Sequence, residues 1–417
     1  MTRVSAGSEF VERAAAVNPA AAAKTVRDPR LDFYRGLAMF IILVAHIPFN
    51  AWAGWIPARF GFSDATEIFV FCSGMASAIA FGGAFARRGW LLGTSRVLFR
   101  CWQVYWAHIG LFFFTAMMMA ALDTYGTFGE SYIDSLNLGR FFADPAPQIV
   151  GMFTLTYVPN YFDILPMYLV VLAMMPLVMA LANVSLWAVA GGCLAVWAAA
   201  NIGDIHLPAE PWSEREWFFN PFGWQLLFFT RFAFMRGWLP QPPVSKVLIW
   251  ACAAFLVLSA PIGSWKVFTW VDAAWPVLGD SLRSVWEGLR LFGERTGFDL
   301  RDKTDFAVLR YVHFLCLAYL AWVIAGVGGR NLLSTGEGLA GRVWQALLTV
   351  ILKVGQQSLA VFVFSMAIAR LLGFVLDQIG RSVGTFALVN LAGFCMIIAV
   401  AYIAAWFKSQ PWKSKPR

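Results

Sequence analysis

Apolar runs of roughly membrane length alternate along the chain with short polar turns. A helix needs about 20 predominantly apolar residues to cross a hydrocarbon layer of ~30 Å. On that basis helices are predicted near 36–54, 65–83, 99–122, 162–182, 185–201, 221–239, 245–262, 307–327, 357–379 and 384–407. Two stretches do not fit as crossings. Residues 147–160, PQIVGMFTLTYVPN, are short and interrupted by proline, and are expected to re-enter or to lie at the interface. Residues 338–352, GLAGRVWQALLTVIL, have the periodicity of an amphipathic helix at the membrane edge. With no internal repeat to divide the chain, the expected organisation is a tail over 1–31, a single membrane domain over 32–407 and a second tail over 408–417.

Composition makes the environment plain. The 417 residues are 59% hydrophobic and 13% charged, with 20 Trp and 38 Phe, far more apolar than a soluble domain. The expectation is an all-α, polytopic integral membrane protein with about ten crossings. Its net charge of +8 gathers at the ends of apolar runs: Lys24, Arg27 and Arg30, then Arg87, Arg88, Arg96 and Arg100, then Lys408, Lys413, Lys415 and Arg417. With ten alternating crossings these groups share one side, and the positive-inside rule makes both termini cytoplasmic. The loop 263–306, which mixes acidic and basic residues, is assigned to the opposite side. A nucleic-acid partner is disfavoured, because the basic residues mark topology and no continuous basic surface emerges. The six cysteines stand singly in apolar runs and the four histidines lack ligand spacing, so no metal and no tightly bound cofactor is expected. The tail over 1–31 lacks the apolar core of a cleavable signal.

The candidate chemistry begins in RLDFYRGLAMFIILVAHIPFN, residues 30–50. Arg35 and His46 are eleven residues apart, about three helical turns and ~16 Å of rise, and so share a face. Arg35 lies at the cytoplasmic end and His46 past the middle, where an ionisable group faces a cavity or a partner. The alternative is structural: Arg35 reaching lipid phosphate and His46 bridging two helices. In the second run, FSDATEIFVFCSGMASAIAFGG, Asp64 and Glu67 share a face near the level of His46. Ser63, and with it Asp64, fits helix capping, Asp64 also standing with His46 as a catalytic candidate; Glu67 is the expected partner that orients His46, as a carboxylate orients the imidazole in catalytic triads.

Five ordered blocks carry a resemblance: RDPRLDFYRGLAMFIILVAHIPFN, FSDATEIFVFCSGMASAIAFG, YVPNYFDILPMYLVVL, NPFGWQLLFF and DKTDFAVLRYVHFLCLAYL. Together they resemble the OpgC family, and the Arg-x10-His spacing resembles the wider group of transmembrane acyltransferases. The resemblance implies an enzyme of the bacterial inner membrane that moves succinyl groups from cytoplasmic succinyl-CoA to osmoregulated periplasmic glucan. The sequence departs from it at Phe49, where a glycine is common. An acyl-CoA co-substrate has a phosphate-rich head suited to Arg35, Arg87, Arg88, Arg96 and Arg100, with Gln356 and Gln357 placed along its arm. His46 would take the proton of the attacking sugar hydroxyl or would itself be acylated.

The remaining polar positions have a role on the glucan side and a structural alternative. Asn160, Tyr161 and Asp163 either touch sugar hydroxyls or cap and anchor a helix. Trp224 and Gln225 either contact the sugar or belong to an aromatic belt. Arg231 either selects the free carboxylate of a succinyl donor or pairs with an acid such as Asp163. Arg310 and His313 share a face, with His313 a second acid or base or a structural hydrogen bond. His108 and His206 are discounted. The rival function is a transporter or channel for a small anion or sugar, against which stands the absence of repeated halves. Expected partners are the acyl-CoA donor, the glucan and the bilayer, and an oligomer is compatible with the sequence.

Overall fold

A computed structural model describes residues 28–126, 131–203, 205–333, 336 and 338–413. Most of the expected N-terminal tail, with Lys24 and Arg27, and the terminal Lys415 and Arg417 lie outside the described residues. Among those described, the architecture is all-α. In chain order the helices are α1 (Pro29–His46), α2 (Ala65–Ser77), α3 (Gly83–Tyr125), α4 (Gly139–Ala143), α5 (Pro145–Thr154), α6 (Ile164–Ala173), α7 (Met175–Val184), α8 (Leu186–Ile202), α9 (Pro221–Arg236), α10 (Lys246–Gly263), α11 (Trp265–Ala274), α12 (Pro276–Thr296), α13 (Val308–Ala325), α14 (Arg330–Leu333), α15 (Leu339–Gln356), α16 (Ser358–Ile379) and α17 (Val383–Ser409).

Helix occupies each of the ten apolar runs. Among the described residues six stretches are long and apolar enough to cross a membrane: Ala65–Tyr125, Ile164–Val184, Lys246–Gly263, Val308–Ala325, Ser358–Ile379 and Val383–Lys413. The protein is therefore polytopic. The first of these stretches doubles back. It contains a π-helical turn at Ala78–Gly82 and a break at Gly89, whose φ of 78° and ψ of 176° reverse the chain into the long arm of α3. That backbone is open to glycine because it has no Cβ.

The two irregular stretches resolve differently. Residues 145–154 form a short helix that ends in a left-handed Leu155, and Tyr105 Oη donates to the Phe153 carbonyl at 2.7 Å. The amphipathic segment becomes α15, which crosses α1 at close range instead of lying free at an edge. A Cβ on Gly355 would sit 1.8 Å from the Asp32 carbonyl oxygen, and one on Gly36 2.0 Å from that of Ile351. Only bare α-carbons allow this approach. Gly355→Ala is therefore expected to lower stability by about 1–3 kcal/mol through overpacking, read as a lower thermal midpoint of the detergent-solubilised protein. An unchanged midpoint would mean that the crossing yields without cost.

Capping fixes the ends that matter for the site. Asp28 accepts from Arg30 N at 3.0 Å, with Pro29 in the first turn of α1. At α2, Asp64 accepts from Thr66 N at 2.6 Å while Glu67 Oε2 accepts from Asp64 N at 2.8 Å, a reciprocal capping box. Ser63, expected as a cap, instead meets His313 Nδ1 through its hydroxyl at 2.7 Å. α16 runs alongside α1 in the same direction, since Gln357 and Ser358 join Arg35 at one end and Gly373 meets Pro48 at the other. The far end of α1 is tied to α17 by a two-way amide pair, Asn50 with Asn390, at 2.8 and 3.0 Å.

Candidate functional site

Two cavities lie at opposite ends of α1. The first, about 930 Å³, is lined by Arg35, Arg96, Arg100 and Lys408, together with Gln103, Gln356, Gln357 and Ser358. Among the described residues no carboxylate lines it. The walls therefore present cationic groups that an anion could satisfy, and the Arg35 Nε is buried without a hydrogen-bond partner among the described residues. Ser77, Ala80 and Phe81, in and beside the π-helical turn, complete one wall; such turns are frequent at functional sites. Five of the residues expected to meet an acyl-CoA (Arg35, Arg96, Arg100, Gln356 and Gln357) thus come together. Arg87 and Arg88 do not. They are exposed beside the Gly89 break and line neither cavity. No local signal in the sequence marks Lys408 as a member of this group, because its place in the cavity depends on the return of α17.

The second cavity, about 400 Å³, is lined by His46, Asp64, Tyr161, Asp163, Arg59 and Lys303, with Phe362 and Met366 from α16. His46 Nδ1 lies 2.7 Å from the Ile42 carbonyl oxygen, one turn back on its own helix. A carbonyl only accepts, so this bond puts the proton on Nδ1 and leaves the Nε2 lone pair free. The Tyr161 ring stands edge-on to the imidazole, 5.4 Å between centroids, and its hydroxyl donates to the Met366 carbonyl. Tyr161 adopts a φ of 91°, a conformation a side chain rarely takes. It therefore braces His46, and its hydroxyl, expected on sugar, is already engaged.

Glu67 requires a correction. It does not orient His46: it is fully buried, its Oε1 accepts from Arg310 Nη2 at 2.7 Å and Nε at 3.1 Å, and its Oε2 holds the cap of α2. Asp64 is the carboxylate of the pair that lines the His46 cavity, where it is ion-paired to Lys303. Arg310 and His313, on one face of α13, dock on Glu67 and Ser63 at the start of α2, and His313 lines neither cavity.

Trp224, Gln225 and Asn160 are also engaged elsewhere. Trp224 is fully buried and donates to the carbonyls of Lys303 and Thr304 at 3.1 and 3.2 Å, so no face is offered to a sugar. With Asn220, which donates to Asp305 Oδ1 at 2.7 Å, it holds the loop that delivers Lys303 to Asp64. Burial raises the pKa of Asp305 in that loop, and the hydrogen bond from Asn220 opposes the shift. Gln225 donates to the Cys193 carbonyl at 2.7 Å, and Asn160 accepts from Arg215 at 2.9 Å. Arg231 lines neither cavity and does not meet Asp163; its guanidinium lies near Met75 and Trp322. His108 is buried without a hydrogen-bond partner among the described residues, and His206 pairs with Glu216 at 3.0 Å.

The two cavities share no lining residue but abut across α16, where Phe362 and Met366 face one and Val363 and Ala367 the other. Phe362 stacks on Phe69 at 5.5 Å, with Tyr168 against Phe69 at 6.2 Å. Beyond His46 a further space of about 470 Å³ is lined by Arg59, Arg370 and Phe49. Phe49 has a φ of 52°, a left-handed backbone that favours glycine.

No curated protein and no solved structure matches this chain. A family model described as OpgC protein matches residues 27–409, nearly the whole chain. That coverage, over a polytopic helical fold, makes this chain a member of the OpgC family.

Proposed function

We propose that the protein is an O-acyltransferase of the bacterial inner membrane that moves a succinyl or similar acyl group from cytoplasmic acyl-CoA to hydroxyls of a periplasmic glucan. Residues 32–407 form one membrane domain with ten crossings and both termini in the cytoplasm, so the Arg35 cavity faces the cytosol and the His46 cavity the periplasm. The observation that carries this is the placement of Arg35 and His46: one helix holds both, and they open into cavities that abut across α16. A phosphate-rich head suits a chamber lined by four cations, and a long thin arm suits the passage beside Phe362 and Met366, which must part to admit it.

The chemistry then follows from the free Nε2. As a sugar oxygen attacks the thioester carbonyl, its proton passes to His46 Nε2. A carbon–oxygen bond forms and the carbon–sulfur bond breaks, and the CoA sulfur leaves with the proton returned by the imidazolium. Arg59 and Lys303 on the same wall supply positive charge for the transient oxyanion. Asp163 and the Arg370 side of the mouth border the acceptor path.

Sidedness tests the proposal. With radiolabelled succinyl-CoA on the Arg35 side of proteoliposomes and glucan on the other, the glucan is expected to gain a base-labile label. Labelling only when donor and acceptor share a face would overturn it.

A further inference from the structure

Arg231 serves neither cavity, and its surroundings ask for an anion. It is 6% exposed, its guanidinium hydrogen-bonds to Met75 Sδ at 3.0 Å, and it makes no ion pair among the described residues. Its Cζ lies 4.3 Å from the centroid of the Trp322 indole. The same ring carries Arg30 at 3.3 Å, but Arg30 is neutralised by Asp28 at 2.7 Å. One cation is thus left buried with no ion pair of its own among the described residues, a costly arrangement at membrane depth unless a ligand supplies the charge.

Two apolar slots converge on this cation. One, about 260 Å³, runs between α1, α2 and α13 past Leu37, Ile68 and Leu317. The other, about 270 Å³, runs between α9, α10 and α13 past Leu248 and Leu315. They share Arg231 and Trp322 in their walls. Leu37 and Val312 are exposed on the rims, so both slots open outward on the helix bundle, where the hydrocarbon of a bilayer would lie. Arg231 is five residues from the end of α9 at Arg236, about 7.5 Å along the axis, within reach of head groups at that end; basic pockets between helices near a membrane face bind anionic head groups.

We infer that Arg231, with Trp322, forms a binding site for an anionic phospholipid, its phosphodiester on the guanidinium and its two acyl chains in the two slots. The site is independent of acyl transfer. It is tested by native mass spectrometry and thermal shift of the full-length protein in detergent, titrated with dioleoylphosphatidylglycerol, dioleoylphosphatidylcholine, dioleoylglycerol or inorganic phosphate. Phosphatidylglycerol is expected to bind and raise the midpoint at concentrations at least fivefold below those needed for any of the others. Arg231→Gln is expected to weaken its binding at least tenfold, and Arg231→Lys to retain part of it. Should Arg231→Gln fail to fold, Leu317→Trp fills one slot with the charge in place and is expected to weaken phosphatidylglycerol binding. Equal binding of phosphatidylglycerol and dioleoylglycerol, equal binding of the two phospholipids, or wild-type binding by either Arg231→Gln or Leu317→Trp would overturn the site.

Discussion

His46→Ala is expected to lower acyl transfer by about 10²–10⁴-fold, the range lost when a positioned general base is removed, while the protein still inserts and still binds acyl-CoA. The separation follows from geometry. His46 lines the cavity with Asp64 and Lys303, whereas the Arg35 cavity, with Arg96, Arg100 and Lys408, contains no part of it. Donor affinity, measured by calorimetry, should therefore be unchanged in His46→Ala. In Arg35→Gln it should weaken while the chemical step is largely spared, because charge-assisted contacts to phosphate are made before and during reaction alike. Quenching the wild type with donor and no acceptor separates the two roles open to His46: a base leaves the protein unlabelled, and a nucleophile leaves the acyl group on the imidazole. Transfer at the wild-type rate by His46→Ala would remove His46 from the mechanism.

Much of this was legible because it is local. Arg35 and His46 sit on one helix, and eleven residues of spacing fix their relation whatever the rest of the chain does. Ten apolar runs likewise marked ten helical regions, since burial in lipid or protein leaves a compositional trace. The apolar signal begins only at residue 36 although α1 begins at Pro29, because Arg30, Asp32 and Arg35 interrupt it. In the fold, Arg30 and Asp32 are buried in protein, where Arg30 has Asp28 and the Gly326 carbonyl as partners. Other parts needed the tertiary fold. Lys303 reaches Asp64 across 239 positions, and Trp224 serves Lys303 through its backbone, a role no side-chain pattern announces. Analogy with triads points to a carboxylate for orienting His46, yet the Ile42 carbonyl of its own helix holds the imidazole.

Arg310→Met is expected to cost about 3–5 kcal/mol of stability, the range for removing one partner of a buried ion pair. Glu67 is fully buried and cannot turn to water: its Oε1 faces Arg310 and its Oε2 is held by the Asp64 amide in the capping box. Losing the guanidinium therefore strands a carboxylate at the point where α13 docks on α2. Glu67→Gln should partly rescue Arg310→Met, because glutamine keeps an acceptor for the Asp64 amide while discarding the charge. The four proteins form a double-mutant cycle, with denaturation in detergent as the readout and a coupling energy well above the ~0.5 kcal/mol expected of independent sites. Transfer rates measured on the same set decide the role of the carboxylate. If Glu67 acts by holding α2, rate loss follows stability loss, and the double variant regains both. A Glu67→Gln protein as stable as the wild type but with its rate collapsed would instead return Glu67 to the chemistry, as a group that acts on His46 directly.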